Sequence, residues 1–160
     1  MIEKELKENF IFNWILKNKL AVGTSPIKSE HINLLKKKNI KNILGLCGEN
    51  EIMWHPKLEK SFLCKRVFLP DSNQNKLPTN SQIIEAFRIL KSFLEDGITF
   101  VHCFASIERS PLLCIMYVME EYNLDLEEAL DYVKEVHKFT NPRNNQLFFI
   151  KDFLKKSNLI

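Results

Sequence analysis

Apolar and polar positions follow two different periods along this chain of 160 residues, and the two periods predict strands that alternate with helices. Short apolar runs bounded by polar or turn-forming residues are typical of strands. They predict a hairpin over Phe12–Val22, with a turn at Lys17-Asn18-Lys19, and three further strands at Ile40–Cys47, Phe62–Leu69 and Ile98–His102.

Apolar residues spaced three or four positions apart predict the helices. The clearest set comprises Ile83, Ala86, Phe87, Leu90 and Leu94. It follows the capping sequence Thr79-x-x-Gln82 and ends before Gly97, as helices commonly do. Further helices are predicted after a cap at Ser29, over Pro111–Glu121, after the capping sequence Asp125-x-x-Glu128, and over about Asn145–Lys155.

This alternation of elements favours an α/β fold with a central, largely parallel sheet and helices on both faces. We find no internal repeat, linker or low-complexity tract, so residues 1–160 are expected to form a single domain. Ligands of such sheets bind outside the carboxyl ends of the strands. The segment that follows Ile98–His102 is therefore the first place to look for chemistry.

Composition and charge narrow the functional classes. A net charge of +3 with 27% charged residues is too mild to indicate nucleic-acid binding. No apolar run approaches the length of a membrane span, and Met1–Lys7 lacks the apolar stretch of a secretory signal. We therefore expect a cytoplasmic protein with neither a nucleic-acid nor a membrane partner.

The cysteines do not form a metal-binding pattern. None belongs to a C-x-x-C pair, and none lies at ligand spacing from a histidine. A reducing compartment keeps such residues as thiols. The four are Cys47, Cys64, Cys103 and Cys114.

One segment joins a predicted strand to a predicted helix with residues suited to phosphate chemistry. It reads His102-Cys103-Phe104-Ala105-Ser106-Ile107-Glu108-Arg109-Ser110-Pro111. A loop that ends in a helix N-terminus directs several backbone N–H groups at one point, where a phosphate fits. Arg109 adds a planar guanidinium that binds two oxygens at once. The same groups stabilise a thiolate at Cys103, which favours a nucleophile over a small buried apolar residue.

The pattern His-Cys-x5-Arg-Ser resembles the active-site motif of the cysteine-dependent protein tyrosine phosphatase superfamily, and the compact chain is similar to its dual-specificity branch. Asn18–Gly23 resembles the opening hairpin of that branch, Ser29–Cys47 the next unit, and Asn141-Pro142-Arg143 the segment before the last helix. The resemblance implies a protein tyrosine phosphatase-like fold and a phosphocysteine intermediate, with no metal or other cofactor. The implied substrate is a phosphorylated protein or a small phosphate monoester.

The resemblance also implies a role for each residue of the motif. Cys103 attacks phosphorus, Ser110 helps the sulfur depart as a thiolate, and His102 supports the loop. The implied phosphate-binding loop comprises Phe104, Ala105, Ser106, Ile107, Glu108 and Arg109.

A proton donor is expected upstream of the motif. Leu69-Pro70-Asp71 follows a predicted strand and is similar to the Trp-Pro-Asp loop of tyrosine-specific members, which implies that Asp71 is the general acid. A simple turn is the alternative interpretation of this tripeptide. Asp96 and Glu108 are weaker candidates for the acid.

Two loop residues depart from the dual-specificity pattern. Ser106 stands where that pattern has glycine, which predicts a strained or slightly widened loop and low activity. The rhodanese-type cell-cycle phosphatases, however, resemble this loop at both Ser106 and Glu108 and are active. Because the loop holds no cation besides Arg109, the residues favour a phosphoprotein or a singly phosphorylated small molecule over a polyphosphorylated inositol.

Three alternatives remain open from the residues. Cys47 resembles a backdoor cysteine that forms a disulfide with the oxidised nucleophile, although a buried core thiol explains it equally simply. Two alternatives to a phosphatase are a pseudophosphatase that binds phosphorylated partners without hydrolysing them, and an enzyme of arsenate reduction or sulfur transfer. Enzymes of the last two kinds need no counterpart of Asp71.

Overall fold

The structure is a computed structural model that describes residues 9–71 and 76–157. Within them, one sheet has the strand order β1-β2-β5-β3-β4. Its strands are β1 (Phe12–Leu16), β2 (Leu20–Gly23), β3 (Asn42–Gly45), β4 (Leu63–Arg66) and β5 (Thr99–His102). The helices are α1 (Ser29–Lys37), α2 (Leu58–Ser61), α3 (Asn80–Asp96), α4 (Arg109–Tyr122), α5 (Leu126–Val136) and α6 (Asn144–Ser157).

The sheet is largely parallel, as the sequence predicts. β1 and β2 form the predicted antiparallel hairpin, whose turn places Asn18 at a φ of 58°. Asparagine tolerates this left-handed conformation better than most residues. Every other neighbouring pair, β2–β5, β5–β3 and β3–β4, is parallel.

Helices cover both faces of the sheet, which confirms the predicted α/β architecture. Residues of β2, β3 and β5 alternate between two apolar clusters because successive strand side chains point to opposite faces. Leu44 and Val101 pack with α3, α4, α5 and α6, whereas Ile43 and Phe100 pack with α1 and α2. The three central strands are fully buried as a result.

Local signals predict some element boundaries better than others. Thr79 and Asp125 each cap a helix through a reciprocal capping box, as predicted. The predicted cap at Ser29 is wrong by one residue. Lys28 precedes the first turn, and the His31 Nδ1 accepts the backbone N–H groups of Ile27 and Lys28 at 3.1 and 3.2 Å. The imidazole thus takes the part that a Glu or Gln side chain plays at the third helical position of a capping box.

The regular strands are shorter than their apolar runs. β4 ends at Arg66, but the chain continues beside β3 through two further bonds, from Val67 N to Gly45 O and from Leu69 N to Leu46 O. Those bonds carry the chain to Pro70 and Asp71 at the carboxyl edge of the sheet. Across the described ranges, no helix is long and apolar enough to cross a membrane.

Candidate active site

The strands of the parallel part end at one level, and the predicted loop begins there. Gly23 and Gly45 each lie opposite His102, the last residue of β5. Cys103 follows and is buried, with 3% of its surface exposed. Ser110, in the first turn of α4, places its Oγ 3.2 Å from Cys103 Sγ. The fold therefore brings the predicted nucleophile and the predicted hydroxyl into contact.

Ser106 adopts the conformation that glycine accepts readily. Its φ is 57°, and its side chain is fully buried. A residue with a Cβ loses roughly 1–2 kcal/mol in this left-handed region. Its Oγ lies 3.2 Å from Ser110 Oγ and 3.1 Å from His137 Nε2, so the hydroxyl has polar partners inside the loop.

Arg109 lies at the other end of the loop and is buried. Its Nη1 donates to Glu51 Oε2 at 2.9 Å and to the Leu69 carbonyl at 3.2 Å. Its Nη2 lies 3.9 Å from Asp71 Oδ2. Burial, the largest single effect, acts to lower the pKa of Arg109, but the hydrogen bond that Arg109 donates to Glu51 and the charges of Cys103 and Glu51 together outweigh it and leave the pKa raised. Arg109 is therefore fully protonated, and its positive charge lies beside the loop.

Glu51 is a site residue that the sequence reasoning missed. Its Oε2 also accepts the Gly48 N–H at 2.7 Å, which aims the carboxylate at Arg109. Arg66 braces this segment by donating to the carbonyls of Cys47 and Ile52 at 3.0 and 3.1 Å. The segment that contains Glu51 has no helical or strand periodicity. The one signal in the sequence was an acidic residue shortly after a predicted strand, where site residues are expected.

The three candidate acids lie in different places. Asp71 lies beside Arg109 and has 30% of its side chain exposed. Asp96 accepts from Lys41 and Asn42, at the edge where β3 begins, which is opposite the loop. Of the three, Asp71 is the carboxylate that lies beside Arg109 at the carboxyl edge, 3.9 Å from its Nη2.

Glu108 pairs with a residue outside the loop. Its Oε1 lies 3.4 Å from Arg143 Nε, and the neighbouring Ile107 carbonyl accepts the Asn141 N–H at 2.9 Å. The Asn141-Pro142-Arg143 segment, which the sequence singles out, thus packs against the loop. Arg143 also offsets part of the acidic charge that the sequence predicts beside the phosphate.

His102 supports the loop as a neutral, buried ring. Trp54 Nε1 donates to its Nε2 at 2.9 Å, and its Nδ1 lies 3.4 Å from the Cys103 carbonyl. Space here is tight, because a Cβ on Gly45 would lie 2.7 Å from Trp54 Cζ2 and 3.0 Å from His102 Nε2. Burial, with the charges of Arg66 and Arg109, lowers the pKa of His102 to about 3.

The depressed pKa of His102 predicts a loss of stability in mild acid. Between its ordinary value of 6.5 and about 3, the unfolded chain binds a proton that the folded chain does not. The free energy of unfolding therefore falls as the pH drops through this window, by up to about 1.4 kcal/mol per pH unit from this residue. Urea unfolding of wild type and His102→Gln near pH 7, 6 and 5 should show a shallower decline in the variant. Equal slopes would contradict this assignment.

The other three cysteines are thiols whose ionisation is disfavoured by burial. Burial raises the pKa of Cys47 to about 11, with a further contribution from the nearby charge of Cys103. It likewise raises the pKa values of Cys64 and Cys114. Cys47 is therefore protonated at neutral pH, and its disulfide with Cys103 stays a prediction.

His137 is a second residue that the sequence did not indicate. It directly follows α5, is fully buried, and meets the loop through Ser106. Burial lowers its pKa, so the ring is neutral at physiological pH. No spacing or motif links it to the loop, because the contact arises only when α5 packs against α4.

A cysteine and an arginine at the two ends of a loop, where a parallel strand meets a helix N-terminus, define the class of cysteine-dependent phosphatases. Residues 24–156 match the family model described as dual specificity phosphatase, catalytic domain. The chain therefore belongs to the dual-specificity phosphatase family.

Curated relatives carry the same designation. The chain is 32% identical over 98 residues to the human dual specificity protein phosphatase 16, covering 56% of this chain and 15% of that protein. It is 30% identical over 139 residues to a probable dual specificity protein phosphatase of Dictyostelium discoideum, covering 87% of this chain and 32% of that one. The chain thus spans a third or less of the length of these relatives.

Solved structures share the fold. The human tyrosine phosphatase-like serine/threonine/tyrosine-interacting protein superposes with a TM-score of 0.77 at 24% identity, covering 93% of this chain and 98% of that one. PTPMT1 in complex with PI(5)P superposes with a TM-score of 0.77 at 19% identity, covering 91% of this chain and 95% of that one.

Proposed function

We propose that this protein hydrolyses phosphate monoesters through a phosphocysteine intermediate on Cys103. The observation that carries the proposal is the convergence of three groups on one loop. Cys103 Sγ lies 3.2 Å from Ser110 Oγ, and Arg109 is held at the loop's far end by Glu51 at 2.9 Å. A nucleophile, a donor to that nucleophile and an anion-binding cation are the parts that such a reaction needs.

In the proposed first step, the Cys103 thiolate attacks phosphorus in line with the leaving oxygen. A sulfur–phosphorus bond forms while the phosphorus–oxygen bond to the leaving group breaks, and Asp71 gives its proton to that oxygen. Both N–H groups of Arg109 Nη1 are already used, on Glu51 and on the Leu69 carbonyl. The Nε and Nη2 groups are therefore the pair available to two phosphate oxygens. The loop amides from Phe104 to Arg109 bind the rest of the phosphate charge.

In the proposed second step, water attacks the phosphocysteine. Asp71, now a carboxylate, removes a proton from the water, and the phosphorus–sulfur bond breaks to release phosphate. The electron pair returns to Cys103 as a thiolate, to which Ser110 Oγ donates a hydrogen bond. Proton and charge are thereby restored to the starting state.

The surface beside the loop supports a phosphoprotein substrate, on phosphotyrosine or on phosphoserine and phosphothreonine. A cleft of about 180 Å³ adjoins the loop, and its lining includes Phe10, Ile27, His31, Ile52, Phe104 and Ala105. None of its described lining residues is lysine or arginine, so a second phosphate would find no cation there. Asn9, Thr24 and Ser25 complete the wall, and this largely apolar cleft suits the side chain and neighbours of a single phosphorylated residue.

Asp71→Asn is expected to slow metal-free hydrolysis of an aryl phosphate by about 10²-fold, because the leaving oxygen loses its proton donor. The matched control is Asp96→Asn, which makes the same chemical change at the opposite edge of the sheet and should retain activity. Steady-state rates of the two variants against wild type provide the measurement.

The same assay separates the competing functions. An unchanged rate in Asp71→Asn would remove Asp71 as the acid, and arsenate reduction or sulfur transfer by that variant would favour those chemistries instead. A well-folded wild type that binds phosphopeptides without turning them over would favour a binding module. Inhibition by orthovanadate, which occupies a phosphate loop, is expected for the phosphatase.

A further inference from the structure

A continuous chain of polar contacts leads from the body of the protein to the nucleophile. Asn13 Nδ2 lies 2.9 Å from His137 Nδ1, and His137 Nε2 lies 3.1 Å from Ser106 Oγ. Ser106 Oγ lies 3.2 Å from Ser110 Oγ, which in turn lies 3.2 Å from Cys103 Sγ. Cys103, Ser106 and Ser110 belong to the loop and the first turn of α4, whereas packing brings Asn13 and His137 to it from distant segments of the chain.

The geometry gives this chain a direction. His137 Nε2 also lies 2.7 Å from the Ser106 carbonyl oxygen, which can only accept, so Nε2 carries the proton. The Asn13 amide nitrogen can only donate, so Nδ1 carries the lone pair. The lowered pKa of buried His137 agrees with this neutral ring.

A Cys103 thiolate can only accept, so it takes the proton of Ser110 Oγ and makes both serine hydroxyls follow the same direction. Ser106 Oγ accepts from the Nε2–H, which it shares with its own carbonyl, and its single proton points to Ser110 Oγ. Ser110 Oγ accepts that proton and turns its own toward Cys103 Sγ. Because His137 Nε2 already carries a proton and faces the Ser106 carbonyl, His137 does not act as a base for the cysteine.

We propose that Ser106 and His137 are positioning residues that orient Ser110 as a permanent hydrogen-bond donor to the Cys103 thiolate. The proposal rests on the function proposed above only in taking Cys103 as the nucleophile. The proposal gives Ser106 a role. A serine at this left-handed position costs conformational energy, but its hydroxyl links His137 to Ser110. The alternative is that Ser106 only strains the loop.

Ser106→Gly separates the two interpretations because glycine accepts the same backbone angles and removes the hydroxyl. Alkylation of Cys103 by iodoacetamide, followed by peptide mass spectrometry, reports the thiolate without requiring phosphatase turnover. We expect Ser106→Gly to slow alkylation at about pH 6 by roughly threefold to tenfold, the effect of one lost hydrogen bond. Rates should converge near pH 10. Ser106→Ala, which keeps the strained backbone, should behave in the same way.

The surroundings of Cys103 are otherwise common to all these variants. The charged and titratable groups near its sulfur are Arg109, Cys47, Cys114 and His102, with Glu51 and Asp71 beyond Arg109. A displaced alkylation profile is therefore attributable to the hydroxyl. Unchanged or faster alkylation in Ser106→Gly would overturn the proposal and leave strain as the role of Ser106.

A double-mutant cycle tests whether Ser106 acts through Ser110. Once Ser110→Ala has removed the final donor, Ser106→Gly should produce no further slowing, whereas independent effects would multiply. For turnover, the proposal predicts a lower kcat with an unchanged KM, because the phosphate contacts of Arg109 and the loop amides remain. Independent effects of the two substitutions on the alkylation rate would overturn the proposed action of Ser106 through Ser110.

His137 is tested by a conservative pair of variants. Glutamine retains an N–H donor at about the reach of Nε2, whereas leucine fills the space without one. His137→Gln should alkylate close to the wild-type rate, and His137→Leu should resemble Ser106→Gly. Equal rates in both, with circular dichroism confirming that both are folded, would remove His137 from the proposal. If phosphate hydrolysis is absent while the alkylation results hold, the proposed activity fails, but the positioning role of Ser106 and His137 stands.

Discussion

Replacing Cys103 by serine is expected to lower turnover of an aryl phosphate by roughly 10⁶-fold, the scale of effect seen when an enzyme loses its nucleophile. A serine hydroxyl is far less ionised than a thiol and forms no phosphocysteine. The loop amides and Arg109 remain, so phosphate or vanadate binding should persist. Steady-state hydrolysis and isothermal titration with vanadate measure these two outcomes. Trapping of phosphorylated Cys103 in wild type by acid quench would give the intermediate directly.

The matched control for this change is Cys64→Ser. Cys64 lies in edge strand β4, and its Sγ lies 3.8 and 3.5 Å from the backbone carbonyl oxygens of Leu58 and Phe62. It undergoes the same sulfur-to-oxygen exchange away from the loop and should keep full activity. Turnover retained by Cys103→Ser would sink the proposed mechanism.

Arg109→Lys is expected to lower kcat/KM by about 10³-fold, although the charge is conserved. Lysine supplies one flexible ammonium in place of a planar fork, so it cannot bind two phosphate oxygens and Glu51 in the same arrangement. The loss should affect both steps, because phosphorus carries the same oxygens throughout. Measurements of kcat and KM with an aryl phosphate would show it.

Two further variants serve as comparisons for Arg109→Lys. Arg88→Lys exchanges an exposed arginine of α3 and should leave kcat/KM unchanged. Glu51→Gln keeps the shape of the partner and removes its charge, so it should lose less activity than Arg109→Lys. Near-normal kcat/KM in Arg109→Lys would mean that the loop amides alone bind the phosphate.

Elements with local causes were predicted well from the sequence. α3 and α5 each begin at a capping box whose two partners lie three residues apart, Thr79 with Gln82 and Asp125 with Glu128. Their interactions need no distant residue, so the pattern contains the information. Strand existence was also predicted, but strand length was not. An apolar run indicates which residues are buried, whereas a strand ends where the neighbouring strand no longer offers hydrogen-bond partners.

Residues that act over long separations in the chain escaped the sequence reasoning. Glu51 contacts Arg109 across 58 positions, and His137 contacts Ser106 across 31. Neither contact leaves a periodic pattern or a short motif. Asp71 was predicted as the acid because Leu69-Pro70-Asp71 resembles a family loop, and its approach to within 3.9 Å of Arg109 depends on how the chain continues from β4 beside β3.

The sequence by itself determined the loop, because its cysteine, its arginine and the amides between them lie in one short stretch whose shape follows from a strand running into a helix. Only the tertiary structure decided what orients that loop. Glu51 sets which edge of the Arg109 guanidinium is available, and His137 sets which way the Ser106 and Ser110 hydroxyls point. Hydrogen-bond direction and side-chain orientation depend on partners that packing brings together, and the order of residues along the chain does not encode them locally.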